Sequence, residues 1–383
     1  MELVTSKLDE LELTLFLFGR IDSTSTAAYE AAINKERKQR HTSLVLDFKG
    51  VEYISSAGLR LMLKLAKAEK SLRLVNTSAE VYNVFEMTGF TQILNVSKAL
   101  REISIEGCPL IGKGAYGKVY RIADDTIIKS YFRGNPIEDI ERERELAREA
   151  FVLGIPTAIS FDIVKVKEEC YGAVYEMIGS DSLMSALLKH PENYDTYVSY
   201  YVELLDKLRN TETDDPHIPL ARKDLDYRLG VVKGVVGQEL FQKIERKIHS
   251  IKDKPTLVHG DCHFKNVFVS PEGLILIDMD TICKGDPIIE IANLYRTYLC
   301  FEEIDPGNTM KFFSIDPSFT KKLFFDVYDR LYKENRDEEL PKVRFLAYFL
   351  LLSHYAEKPE KYATFLSRVK EILEREIDSF ESF

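Results

Sequence analysis

One polar loop carries the side chains best suited to chemistry. It places Asp261 and Asn266 five residues apart between apolar strands, and the later apolar run 274–277 leads directly into Asp278. Phosphoryl transfer uses such groups: one carboxylate accepts the proton of the acceptor hydroxyl, while an amide oxygen and a second carboxylate bind Mg²⁺ on the phosphates. Each residue alone could cap a turn, but together and in this order they indicate phosphoryl-transfer chemistry. Asp280 is a further candidate ligand or substrate contact.

A glycine-rich stretch precedes this loop in the chain. Gly112, Gly114 and Gly117 form the pattern G-x-G-x-x-G. A dinucleotide-binding fold requires a helix directly after these glycines, but residues 118–122 favour a strand. Strand, glycine turn and strand is instead the arrangement of a kinase hairpin that covers the phosphates of ATP. The return strand ends in Lys129, whose ammonium would contact the α- and β-phosphates.

This lysine needs an acidic partner, and the helix predicted after it offers four glutamates: Glu141, Glu143, Glu145 and Glu149. The partner must lie on the helix face that packs against the core. Glu143 shares its face with Leu146 and Ala147, so we predict that Glu143 forms the ion pair. Glu145 is the alternative, and the remaining glutamates are expected on a solvated face of Glu and Arg residues.

The elements that must position these groups fall into two sets. In the N-terminal part, β-rich runs alternate with amphipathic helices, which predicts a small α/β layer fold. The predicted elements of this part are strands at 11–19, 43–48 and 72–77 and helices at 27–38, 57–67 and 79–89. Residues 97–107 are predicted to form a linker or a final helix. The rest begins with strands and is mainly helical from about residue 180, which is an α+β, two-lobed pattern.

The C-terminal part resembles the aminoglycoside phosphotransferase family of the protein-kinase-like superfamily. The resemblance is carried by His259-Gly260-Asp261 with Asn266, by Ile277-Asp278 and by the segment 285–290. It implies a two-lobed protein-kinase-like fold over residues 106–383, with an N-lobe at about 106–180 and a helical C-lobe at about 181–383.

The same resemblance implies roles for individual residues. Asp261 would be the catalytic base, Asn266 and Asp278 the Mg²⁺ ligands, and Lys129 the phosphate contact. His259 would support the loop without taking part in the chemistry. Asp286 would brace the catalytic loop.

The resemblance also implies where adenine and the acceptor bind. The backbone of the segment from Glu176 to Ile178 would bind adenine as the hinge. The helical lobe would choose a small-molecule hydroxyl acceptor, and the acidic and aromatic segments 194–201 and 302–305 would suit a cationic one.

Residues 1–105 resemble a STAS domain, the fold of anti-sigma factor antagonists. The segments 19–22, 44–48, 53–59 and 84–90 carry this resemblance. It implies a regulatory serine just before a helix, which is Ser56 here, and an anti-sigma factor or serine kinase as a partner. Ser55 stands where the family has an aspartate and is a possible second acceptor. A helix N-cap is the simpler reading of either serine.

The composition excludes several function classes. The 383 residues include 52 Lys and Arg against 62 Asp and Glu, a net charge of −10, whereas proteins that bind nucleic acid or anionic lipid carry a basic surface. No apolar run reaches the ~18 residues of a membrane span. The five cysteines form no C-x-x-C pair, which argues against disulfides and zinc and predicts a cytoplasmic location.

The two parts together predict a bacterial regulatory fusion: a STAS module joined to a phosphotransferase that uses ATP and Mg²⁺ as cofactors and phosphorylates a hydroxyl, most simply that of a small molecule. The alternative is a non-catalytic switch that senses nucleotide and acts as an anti-sigma factor antagonist through phosphorylation of Ser56. A third hypothesis joins the two, with the kinase-like part phosphorylating Ser56 itself.

Overall fold

The structure of the chain is a computed structural model that describes residues 3–167, 170–179 and 181–383. The chain forms two compact units. The first comprises Met1–Ser104 and the short segment Val164–Lys167, and the second comprises Ile105–Ile163 and Glu168–Phe383. Each unit has a hydrophobic core of its own.

The first unit is a five-stranded mixed sheet with three helices. The strands lie in the order β1 (Val4–Asp9), β2 (Glu12–Ile21), β3 (Ser43–Ile54), β4 (Leu72–Thr77) and β5 (Asn95–Lys98). β1 and β2 are antiparallel, whereas β2 to β5 run parallel. Parallel neighbours need crossover connections, which are provided by α1 (Thr26–Glu36), α2 (Ser56–Ala68) and α3 (Ala79–Met87). The predicted α/β fold is confirmed.

The core of the first unit follows from the strand period. β2 alternates buried and half-buried residues because successive side chains point to opposite faces. Tyr29 of α1, Met62 of α2 and Phe85 of α3 are fully buried in the same core. α2 approaches the sheet closely at Gly58, where a Cβ atom would lie 2.8 Å from the carbonyl oxygen of Ile21, so only glycine fits there.

The segment that follows β5 contains no helix. β5 ends at Lys98, and residues 99–109, all of them described, form only turns, an isolated bridge and irregular backbone. Of the two forms predicted for 97–107, the final helix is therefore wrong. Residues 101–103 instead pair with Lys165: the N–H of Ile103 donates to the carbonyl of Lys165, and the N–H of Lys165 donates to that of Arg101, both at 2.9 Å.

The second unit begins with a β-rich part. Its five-stranded sheet has the order β6-β7-β8-β10-β9. The strands are β6 (Leu110–Lys113), β7 (Gly117–Arg121), β8 (Thr126–Tyr131), β9 (Asp162–Lys167) and β10 (Cys170–Glu176). The last four residues of β9, Val164–Lys167, are the segment grouped with the first unit. The helix α4 (Ile137–Val152) lies between β8 and β9 in the chain and buries one face that includes Glu143 and Leu146.

The remainder of the second unit is mainly helical. Its helices are α5 (Leu183–Lys189), α6 (Tyr194–Asn210), α7 (Ala221–Lys233), α8 (Gln238–Ser250), α9 (Ile288–Tyr295), α10 (Phe301–Ile304), α11 (Asn308–Phe313), α12 (Pro317–Leu331), α13 (Arg336–Ala356) and α14 (Ala363–Glu376). A π-helical turn, Arg296–Cys300, joins α9 to α10. Among the described residues, no helix combines the length and the apolar character needed to cross a membrane.

Two short strand pairs frame the polar loop of this helical part. β11 (Leu257–Val258) pairs with β14 (Cys283–Lys284), and β12 (Val267–Ser270) pairs with β13 (Gly273–Leu276). The loop from His259 to Asn266 runs between β11 and β12, and Asp278 follows β13. The pairing therefore brings segments that are distant in sequence to one side of the unit.

Candidate functional site

Three charged side chains from separate elements meet in the second unit. Lys129 on β8 lies with Nζ 3.0 and 3.3 Å from the two carboxylate oxygens of Glu143 on α4. The same Nζ is 2.6 Å from Oδ1 of Asp278. Of the five glutamates on α4, Glu143 is the buried one, 8% exposed, and the one that contacts the lysine. Glu145 is exposed.

The surroundings keep this lysine charged. Burial acts to lower the pKa of Lys129, but the carboxylates of Glu143 and Asp278 outweigh it and raise that pKa above its usual value. The hydroxyl of Tyr131 donates to Oε2 of Glu143 at 2.9 Å and holds the glutamate in place. The sequence analysis missed Tyr131. The available signal was strand alternation, which puts residues 129 and 131 on the same face of β8.

The glycine-rich hairpin lies on the same sheet. The N–H of Gly114 donates to the carbonyl of Gly117 at 2.9 Å and closes the tip. A Cβ on Gly117 would lie 2.3 Å from the carbonyl oxygen of Ser130, so the close pairing of β7 and β8 requires this glycine. A Cβ on Gly112 would make only ordinary van der Waals contacts, and a Cβ on Gly114 would lie in open space. Packing within the protein therefore requires a glycine at position 117. Beside Gly114, by contrast, there is room for a ligand.

The polar loop brings Asp261 and Asn266 together. Nδ2 of Asn266 donates to the backbone oxygen and to Oδ2 of Asp261, both at 3.1 Å. With its nitrogen engaged in this way, the amide oxygen of Asn266 is left for another ligand. Asn266 is buried, whereas the side chain of Asp261 is 38% exposed and accessible to a substrate.

His259 connects this loop to the segment before Asp278. Its Nδ1 accepts the N–H of Asp261 at 3.2 Å, and its Nε2 donates to the carbonyl of Ile277 at 3.1 Å. The hydroxyl of Thr281 donates to the carbonyl of His259 at 2.7 Å. Both ring nitrogens are therefore used to hold the two segments together, and neither remains for proton transfer.

Glu290, rather than Asp286, braces the polar loop. One carboxylate oxygen of Glu290 accepts the N–H groups of His259 and Gly260 at 2.6 and 3.0 Å, and the other accepts that of Cys262 at 3.2 Å. Asp286 instead pairs with Lys254 at 2.7 Å and accepts a backbone N–H at the start of α9. The expectation for Asp286 is wrong because the side chain one helical turn farther along α9 faces the loop.

Asp278 and Asp280 follow β13 at a sharp bend. Asp278 has left-handed backbone angles, φ 56° and ψ 65°, which are uncommon for a residue with a side chain. Asp280 lies in the 3-10 turn Met279–Thr281. Burial, followed by the charges of Glu143 and Asp278, raises the pKa of Asp280 to about 6. Negative charge is thus concentrated beside a single lysine.

The predicted hinge runs from Glu176, the last residue of β10, to Ile178. The N–H of Met177 donates to the carbonyl of Asp125 at 2.8 Å. Glu176 is exposed and Ile178 is half-buried. Within the described residues, no hydrogen bond engages the backbone N–H of Ile178, which leaves this group for a ligand.

The two candidate serines of the first unit have different environments. Ser55 is the N-cap of α2, and its hydroxyl accepts the N–H groups of Ala57 and Gly58 at 3.2 and 3.5 Å. Ser56 is the first helical residue and is exposed. The N–H of Ser55 donates to the carbonyl of Ile21 at 2.9 Å. The cap is therefore Ser55, while the hydroxyl of Ser56 points to solvent.

The fold and the site define the second unit as a kinase-like phosphotransferase. Residues 107–310 match the Phosphotransferase enzyme family (APH), and the chain belongs to that family. The resemblance predicted from the catalytic loop and from the β-rich and helical parts is confirmed.

The first unit is a STAS domain, which matches residues 3–103. Over 103 residues it is 33% identical to a Bordetella bronchiseptica protein named as an anti-sigma factor antagonist, BtrV. That alignment covers 26% of this chain and 88% of BtrV. The resemblance predicted for the N-terminal part is also confirmed.

Solved structures of antibiotic kinases are similar to the chain. The aminoglycoside phosphotransferase APH(4)-Ia, in a ternary complex with ADP and hygromycin B, is 12% identical, with a TM-score of 0.49, and the match covers 70% of this chain and 93% of that one. The amicoumacin kinase hAmiN, in complex with AMP-PNP, Ca²⁺ and its substrate, is 16% identical, with a TM-score of 0.47 and coverage of 77% and 95%. At these scores the likeness carries no functional argument.

Proposed function

We propose that the second unit transfers the γ-phosphoryl group of ATP to a hydroxyl of a small molecule and uses Mg²⁺. One observation carries this proposal. The ion pair of Lys129 and Glu143 lies beside Asp278, and in the same unit Asp261 and Asn266 are in direct contact. Phosphoryl transfer relies on positioning and charge stabilisation by this set of groups.

Each residue has a distinct role in the proposed reaction. Lys129, held by Glu143, binds oxygens of the α- and β-phosphates, and the hairpin at Gly114 covers them. Asp261 accepts the proton of the acceptor hydroxyl while the acceptor oxygen forms a bond to the γ-phosphorus. The bond from that phosphorus to the bridging oxygen breaks, and ADP leaves. The backbone near Ile178 binds adenine.

The oxygen atoms near Asp278 fit Mg²⁺. The described residues contain no cluster of three His, Cys, Asp or Glu side chains that could hold a metal by themselves. Mg²⁺ commonly takes one or two protein oxygens together with substrate phosphates and water. The free amide oxygen of Asn266 and the carboxylate of Asp278 would supply those two oxygens. Bound there, Mg²⁺ would neutralise charge on the phosphates.

Asp261→Asn tests this function in the full-length chain. Acceptor-dependent release of ADP should fall ~10²–10⁴-fold because a general base is lost. Binding of Mg·ATP, measured by calorimetry, should stay within about twofold because the base acts mainly in the transition state. Asp253→Asn is the matched control, since Asp253 is exposed and, among the described residues, forms an ion pair with Arg222 alone, at 3.1 Å. A wild-type protein that binds no Mg·ATP and phosphorylates no amine, sugar or alcohol acceptor would contradict the proposal.

We further propose that Ser56 is the regulatory phosphosite of the STAS domain and that an anti-sigma factor with serine kinase activity is its partner. The exposed hydroxyl of Ser56 supports this, because the hydroxyl of Ser55 is already engaged in capping. A phosphate at this helix start would lie at the positive end of the helix dipole. It would also add about −1.5 to −2 charge close to Asp22.

Intact-mass spectrometry after incubation with Mg·ATP distinguishes the sources of that phosphate. One added phosphate on Ser56 in the wild type, but not in Asp261→Asn, would mean that the phosphotransferase unit modifies the serine. No addition to either protein would leave Ser56 to a separate kinase. A phosphate mapped to Ser55 would contradict the assignment.

A further inference from the structure

Three of the four acidic residues expected to attract a cationic acceptor bind other parts of the protein. Glu303 accepts hydrogen bonds from the hydroxyls of Tyr295 and Tyr348. Glu302 accepts two backbone N–H groups at the start of α11, at 2.8 and 3.0 Å. Asp195 pairs with Arg330 at 2.9 Å. These carboxylates therefore do not form a free acidic rim for the acceptor.

The groups near the catalytic base are instead basic. Arg296 begins the π-helical turn, Arg228 lies on α7, and His354 lies on α13, which packs against both elements. These three side chains, called the basic cluster below, affect each other's charge. Burial, followed by the charges of Arg296 and Arg228, lowers the pKa of His354. Burial and Arg228 lower the pKa of Arg296, whereas the charges of Asp261 and Asp224 act in the opposite direction.

Among the described residues, Arg296 is the arginine of the cluster that forms no ion pair. Arg228 is bound on two sides, by Asp224 at 2.6 Å and by the hydroxyl of Ser353 at 3.0 Å. Over the described residues, the guanidinium of Arg296 makes no hydrogen bond and no ion pair, with Asp261 or with any other group. Burial and the neighbouring Arg228 lower its pKa. A half-buried guanidinium next to a second one is costly unless an anion joins them.

The π-helical turn fixes Arg296 relative to the catalytic loop. The backbone N–H of Phe264 donates to the hydroxyl of Tyr298 on the same turn at 2.8 Å. π-helical turns within α-helices are rare and frequently lie at functional sites. Here one short segment both contacts the loop, through Tyr298, and carries Arg296.

We propose that the acceptor is an anionic, hydroxyl-bearing small molecule and that the basic cluster, chiefly Arg296, binds its phosphate or carboxylate group beside Asp261. This inference rests on the proposed phosphotransferase function. An anion there would satisfy the unpaired guanidinium with charge-assisted hydrogen bonds. It would also orient the hydroxyl whose proton Asp261 accepts.

Calorimetry on the full-length protein tests this proposal without a known substrate. The protein is first saturated with Mg·AMP-PNP, which fills the nucleotide site, and is then titrated with inorganic phosphate or with ethanolamine as the cationic probe. We expect phosphate to bind and ethanolamine not to bind. Arg296→Gln should weaken phosphate binding ~10- to 100-fold, because one charge-assisted contact is lost, and Arg296→Lys should retain part of the affinity. Arg246→Gln removes the same charge from the exposed surface of α8 and is the control.

The outcomes distinguish failure of the phosphotransferase function from failure of the anionic-acceptor proposal. Failure to bind Mg·AMP-PNP would contradict the phosphotransferase function itself. If the nucleotide binds, the anionic acceptor is overturned by any of three results: no phosphate binding to the wild type, preferential binding of ethanolamine, or equal phosphate affinity in Arg296→Gln and Arg246→Gln. Unchanged melting temperatures in these variants would exclude unfolding as the cause of a loss.

Discussion

Glu290→Gln removes the charge that anchors the catalytic loop while nearly preserving the side-chain volume. In the native protein one carboxylate oxygen accepts the N–H groups of His259 and Gly260, and the other accepts the N–H of Cys262. A glutamine amide accepts hydrogen bonds on its oxygen only. The less costly orientation keeps the first two bonds and leaves the N–H of Cys262 facing an NH₂ group.

The magnitude follows from these three contacts. A hydrogen bond to a charged group contributes ~1.5–3 kcal/mol against ~0.5–1.5 kcal/mol for a neutral one, so the two retained bonds together lose ~2–3 kcal/mol. A buried donor without an acceptor costs a further ~1–3 kcal/mol. Removing a buried charge also relieves its desolvation, which offsets part of this sum. We therefore expect the free energy of unfolding of the second unit to fall by about 3 kcal/mol.

Two measurements check this prediction. Calorimetric melting of the full-length protein reports the stability of the second unit, and hydrogen–deuterium exchange over residues 257–264 reports opening of the loop. Asp286→Asn is the control, because its pair with Lys254 is partly exposed and should contribute only about 1 kcal/mol. The reasoning is refuted if the loop exchanges no faster in Glu290→Gln than in Asp286→Asn, or if the control is the more destabilised variant.

The remaining predictions concern the other positioned groups. Asp278→Asn should weaken Mg·ATP binding by at least ~10-fold in calorimetry, because a metal ligand loses its charge; unchanged affinity would remove its assignment as a ligand. Glu143→Gln should lower the steady-state rate of ADP release ~10²-fold by releasing the lysine proposed to bind the phosphates. The exposed Glu145→Gln should leave that rate unchanged. Equal effects of the two variants would contradict the ion-pair assignment. In urea unfolding, Ser55→Ala should cost the first unit ~1 kcal/mol through loss of the N-cap. Ser56→Ala should stay within ~0.5 kcal/mol, and the reverse order would contradict the capping assignment.

Local patterns in the sequence were sufficient for most of the architecture. Strand alternation and helical spacing located β2, β3, β4 and three helices of the first unit, but not β1 or β5, because these periods depend on residues only a few positions apart and show best in longer elements. The same spacing selected Glu143, whose helix face carries Leu146 and Ala147. The glycine pattern was recognised as a hairpin because the residues after Gly117 favour a strand.

Other parts of the site lay beyond such patterns. Asp286 and Glu290 are one helical turn apart at the start of α9, and either carboxylate could reach a neighbouring loop. Which one does so depends on where the helix packs. Arg296 was not noticed because helical periodicity assumes 3.6 residues per turn, and a π-helical turn changes the direction in which later side chains point.

The sequence by itself determined the two folds and the types of chemical group available, because backbone preferences and motif spacing act over short distances. Only the tertiary structure decided which of those groups meet. The contact of Lys129 with Asp278 joins residues 149 positions apart, and that of Glu290 with His259 joins residues 31 positions apart. Contacts of this kind follow from the packing of whole elements around a common core, which no local pattern encodes.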